Sequence, residues 1–186
     1  VLDIQRFLEY DLTTQGLAST SWHMLIREAF PELAGLQLAD MLLALLLQTY
    51  KHRGANGIEL YDFIEYSSGL ATLSKEALKQ GLTGIALDRL YSPEQDSSTP
   101  MGLRLWLTTF TFTKSRSLIW FGTQCSSFTA LCISGSKRSE ANGFLGDQRR
   151  AFVCEGNCQM SITALLYLLS FWNGNMPVLE QPLTST

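Results

Sequence analysis

Charge is scarce in this sequence, and histidine scarcer. Of its 186 residues, 17% are charged and 46% hydrophobic, a balance that excludes disorder and fits one globular domain with a real core. The 14 basic residues are outnumbered by 17 acidic ones, for a formal net charge of -3. Phosphate neutralisation needs clustered Lys and Arg, so this balance argues against a chain that grips nucleic acid by bulk attraction. The only basic clusters, "KRSE" at 137–140 and "RR" at 149–150, flank one glycine-containing loop and read as a solvated loop. The two histidines, His23 and His52, lie far upstream of the "CEGNC" pair Cys154 and Cys158. A zinc site would need a second pair of ligands there, so no metal is expected. Cys125, Cys132, Cys154 and Cys158 are expected reduced and partly buried, because a chain this rich in core residues needs no disulfide staples.

Long uninterrupted apolar runs are also lacking. "LADMLLALLLQTY" and "ITALLYLLSFW" are broken by polar residues and fall short of the roughly 20 needed to span a bilayer. Both read as buried amphipathic helices, and no membrane span is expected. There are no repeats and no low-complexity tract. The sequence opens on Val1, so the want of a targeting signal carries no information.

Two textures divide the chain. Residues 1–56 read as a helical N-terminal extension, with Leu36, Leu38, Met41, Leu42, Leu45 and Leu46 on one broad apolar face. From residue 57 to 186, strand-like and helix-like segments alternate. "IELYDFIEYSSG", "LTGIALDRLY", "SLIWFGTQC" and "NMPVLEQP" read as strands. "LSKEALKQG", "GLRLWLTTFTF" and "NCQMSITALLYLLSFWN" read as helices, with residues 133–149 as a polar loop. Alternation of this kind predicts an α/β fold: a Rossmann-like parallel sheet flanked by helices. Ligands of such sheets bind beyond the carboxyl ends of the strands.

Three groups fall at those ends. "YSSGLA" puts a glycine turn after the first strand, and Asp88 follows Gly69 by 19 positions, close to the spacing of an acid that binds a ribose. The alternative is an ordinary strand–turn–helix. Cys125 ends the third strand, as a nucleophilic thiol or as a small residue closing a strand. Glu180 ends the fourth, as a proton-handling carboxyl or as a solvated strand-end acid.

In this order the three resemble the S-adenosylmethionine-dependent DNA cytosine-5 methyltransferases. "SSGLA" at 67–71 is similar to that family's F-S-G-x-G-G. "GTQCSSFT" at 122–129 is similar to its P-P-C-Q, "GDQRRAF" at 146–152 to its D-x-R-G-x-L, and "LEQP" at 179–182 to its E-N-V. The resemblance implies S-adenosylmethionine as cofactor, held at Ser68, Gly69, Ala71 and Asp88. It implies Cys125 as the nucleophile on C6 of a cytosine and Glu180 at the N3 edge of the base. The sequence departs from the pattern at Ala71, where the family has glycine, at Thr123 and Gln124, where it has prolines, and at Gln181, where it has asparagine. No stretch of residues 1–186 resembles the family's target-recognition region. A second likeness, through "CSSF" and "LEQP", is to a set of algal proteins.

These departures lead to the expectation of a catalytically degenerate methyltransferase-like domain. Its role would be that of a structural subunit with protein partners in a larger complex, and the algal likeness implies a chloroplast assembly. The alternative is an active methyltransferase using Cys125, on cytosine or on another substrate.

Overall fold

The computed structural model describes residues 59–124, 126–129 and 132–180. The expected helical extension over 1–56 lies outside the described residues, as do Cys125 and Gln181.

Four strands and three principal helices alternate. Strand β1 is Tyr61–Tyr66, helix α1 Thr72–Lys79, β2 Gly84–Leu87, α2 Pro100–Phe110, β3 Thr113–Phe121, α3 Ala151–Trp172 and β4 Met176–Leu179. The sheet order is β2-β1-β3-β4. All three pairings are parallel, with Tyr66 level with Leu87 and Phe121, and Phe121 level with Leu179. The architecture is therefore α/β and Rossmann-like, as the alternating pattern predicts. From β1 the chain steps outward to β2, then crosses back to lay β3 on the other side of β1. That reversal is a topological switch point, the place where open α/β sheets leave a crevice.

Successive strand side chains point to opposite faces, and the two faces here differ. Ile64, Tyr66, Leu87, Ile119 and Phe121 form one core with Trp106 and Leu107 of α2 and with Ile162, Leu165, Leu166 and Leu169 of α3. The α3 positions recur at the spacing of a single helix face. Tyr66 is wholly buried at the centre. Its ring stacks on Trp106 at 4.6 Å and on Phe121 at 5.4 Å, and its hydroxyl donates to the Trp106 carbonyl at 2.8 Å. Burial pushes its phenol pKa up. On the opposite face, Glu65 is buried beneath α1 and accepts from the Ser74 N–H at 2.7 Å and from the Ser74 hydroxyl.

The starts and stops have local causes. Thr99 caps α2, its Oγ1 accepting from Gly102 N at 3.0 Å, with Pro100 in the first turn. Strand β3 begins at Thr113, earlier than the apolar run suggests. Its pairing with β1 slips between Tyr61 and Phe63, and Arg116 turns through a left-handed φ of 65°. A polar "TKSR" with an irregularity inside it reads like a turn. Helix α3 starts at Ala151, ahead of "CEGNC", and holds Gly156 where space is short: a Cβ on it would lie 2.2 Å from the Ser127 hydroxyl. Packing overrides the weak helix propensity of glycine. By length and composition α3 is also apolar enough to cross a bilayer, and half of that stretch is buried within the fold.

Candidate functional site at the switch point

A cavity of about 200 Å³ opens at the carboxyl edge of the sheet. Its walls include Ser67 after β1, Asp88 and Arg89 after β2, Gln95, Gln124 after β3, and Gln159 of α3. This is the crevice that the strand order requires, and its polar walls carry amides, the two carboxylates of Asp88 and Asp96, and a guanidinium.

The β1–α1 turn has an unusual backbone. Ser67, Gly69 and Ala71 take φ values of 54°, 53° and 52°, all left-handed. A single glycine thus supports a conformation normally reserved for glycine. Fixed partners hold it. The Gly69 N–H donates to Asp88 Oδ2 at 2.8 Å, while the Tyr91 hydroxyl donates to the Gly69 carbonyl at 2.8 Å and accepts from Ser68 Oγ at 2.9 Å.

Asp88 is the central polar group of the site. It is 7% exposed, and its Oδ1 accepts from the Leu90 N–H at 2.8 Å. Its own N–H donates to Gln95 Oε1 at 3.0 Å. Each carboxylate oxygen accepts about two hydrogen bonds, so each Asp88 oxygen keeps one acceptor position after its backbone bond. Two adjacent acceptors at a cavity wall suit a vicinal diol.

Three amides share the cavity wall, those of Gln95, Gln124 and Gln159. Gln159, 6% exposed, accepts from Ser97 Oγ at 2.9 Å through Oε1. Amides on a cavity wall suit a ligand with ring nitrogens or carbonyls. Trp106, on the same wall, has its indole N–H tied to the Gln95 carbonyl at 2.9 Å and leaves its ring as an apolar surface.

The sequence-predicted residues are brought together unevenly. Gly69 and Asp88 are bonded, and Ser68 and Ala71 belong to the same turn. Glu180 reaches the same sheet edge, its N–H donating to the Phe121 carbonyl at 2.9 Å, but it is not on the cavity wall. Its carboxylate accepts from Trp120 Nε1 at 3.3 Å, and Trp120 is level with Glu65, on the face that α1 covers. Around Cys125, Gln124 Nε2 donates to Ser126 Oγ at 3.2 Å and Arg138 grips Ser127. Arg138 is buried, donating from Nε to the Ser127 carbonyl at 2.8 Å and from a terminal nitrogen to Ser127 Oγ at 2.9 Å, with its guanidinium 3.8 Å above the Phe128 ring. Burial pulls its pKa down. Among the described residues no three metal-ligating side chains gather.

Arg89, Gln95 and Gln159 escape a reading of the sequence. Arg89 adjoins Asp88 in "LDRLY" and could have been found by asking what flanks the acid. The two glutamines carry no local signal. Set against protein-family models, curated proteins and solved structures, the chain matches none.

Proposed function

We propose that the chain is a methyltransferase-like domain that holds a nucleoside ligand of the S-adenosylmethionine kind at the switch point. Its role is that of a binding and assembly subunit, without cytosine chemistry. The observation that carries the ligand assignment is Asp88. Its carboxylate is buried on the cavity wall, fixed by the Gly69 and Leu90 N–H groups, with one acceptor position left on each oxygen. A ribose diol fits that pair, and the amides of Gln95 and Gln159 on the same wall fit a heterocycle. Bound S-adenosylmethionine supplies an activated methyl group. What the described residues supply is binding, since Glu180 is engaged by Trp120 on the other face of the sheet.

The assembly role is favoured by exposed apolar side chains in the loops beside the cavity. Leu70 in the β1–α1 turn is 81% exposed and Leu90 after β2 is 76% exposed. A protein partner covering this edge would remove both from water.

Titration calorimetry of the full chain with S-adenosylhomocysteine tests the ligand assignment. Micromolar binding is expected, weakened about tenfold or more in Asp88→Ala, since hydrogen bonds to a charged group contribute about 1.5–3 kcal/mol. Circular dichroism checks that the variant is folded. Equal binding by the folded variant, or none by the parent chain, refutes the assignment.

A further inference from the structure

We infer that Arg89 is a carboxylate seat, so that the ligand of this cavity is a nucleoside carrying an acidic tail. The inference rests on the nucleoside reading above and narrows it. Asp88 and Arg89 are consecutive and both line the cavity, presenting an acceptor pair and a guanidinium side by side. A ligand that engages both offers hydroxyl donors to one and an anion to the other.

The usual seat for an anion beside a glycine turn is already filled. At the N-terminus of α1, the Ser74 N–H and hydroxyl both donate to the chain's own buried Glu65. That carboxylate satisfies the helix terminus from the sheet side. A ligand anion must find another cation, and among the cavity-lining residues, which also include the carboxylates of Asp88 and Asp96, Arg89 is the one that carries a positive charge.

Arg89 is also poised for exchange. It donates to Gln124 Oε1 at 2.8 Å and pairs with Glu155 of α3. Both partners of the ion pair are part-exposed, with side chains 40% and 35% accessible, and Glu155 is not on the cavity wall. Exposed pairs of this kind are weak. A ligand carboxylate approaching from within the cavity replaces Glu155 in a bidentate, better-shielded pair, the geometry that arginine favours.

The test compares S-adenosylhomocysteine with S-adenosyl-3-thiopropylamine, its analogue lacking only the carboxylate, by calorimetry on the full chain. The parent should bind the acid at least tenfold tighter. Arg89→Met should abolish that preference while leaving the amine's affinity within about twofold, and Arg89→Lys should restore part of it. Glu155→Gln, which removes the competing carboxylate, should tighten the acid and leave the amine unchanged. Equal binding of both compounds by the parent, an equal loss of both in Arg89→Met, or weaker acid binding in Glu155→Gln overturns the carboxylate seat and leaves the nucleoside reading standing. Binding of neither compound overturns the nucleoside reading itself, and the seat with it.

Discussion

Replacing Ala71 by glycine tests the geometry of the β1–α1 turn, on which the Asp88–Gly69 contact depends. Ala71 sits at φ 52°, ψ 42°, immediately before α1. The left-handed conformation is disfavoured by about 1–2 kcal/mol for a residue with a Cβ. Glycine removes that strain but also widens the unfolded ensemble, which offsets about 0.4–1 kcal/mol. The balance is a gain of about 0.5–1 kcal/mol for Ala71→Gly. Gly69 is the mirror experiment. Its φ is 53°, and a Cβ added there meets no atom within 4 Å, so Gly69→Ala isolates backbone strain from crowding. The same arithmetic with reversed sign predicts a loss of about 0.5–1 kcal/mol. Urea unfolding of both variants reads this as opposite shifts in midpoint at an unchanged slope. Shifts in the same direction, or a destabilised Ala71→Gly, would show that the turn does not adopt alternating left-handed residues.

Two further outcomes follow from other parts of the fold. Gly156→Ala should destabilise by about 1–3 kcal/mol despite its better helix propensity, because the new methyl is driven against Ser127; a thermal melt decides, and an unchanged or raised midpoint refutes the contact. Hydrogen bonding from Arg149 holds the Asp147 carboxyl down to about 2, against 3.8 for an unperturbed one. Since the folded pKa is the lower one, the associated stability is present above the ordinary carboxylate range and fades as pH falls toward 2. In Arg149→Ala, nuclear magnetic resonance titration should find the Asp147 carboxyl moved back up, and an unmoved value would remove Arg149 as the cause.

The parts of this molecule that can be read along the chain are those fixed by local periodicity. Alternating apolar residues place β1, β2 and β4, and the run from Ile162 to Leu169 places the buried face of α3. The spacing of Gly69 and Asp88 marks a contact that the fold closes at 2.8 Å. What resists reading is set by neighbours remote in sequence. Gly156 looks like a helix breaker until Ser127 is seen against it. Gln159 looks like any surface glutamine, and only the packing of α3 on the sheet turns it inward beside Ser97. Glu180 illustrates the limit of reasoning from strand ends. Its position at the rim follows from the strand, but the direction of its carboxylate follows from Trp120 on the adjoining strand.

The strand order also constrains how the chain is made. Strand β1 lies at the centre, yet Phe63 meets Gly84 on one side and Leu118, much further along the chain, on the other. During vectorial synthesis β1 leaves the ribosome with both flanks bare and keeps one open until β3 has followed, and sheets closed by such distant pairings form slowly. A nascent chain stalled before β3 therefore displays Ile64 and Tyr66 on an unprotected edge, which makes that interval the one in which a chaperone has most to offer.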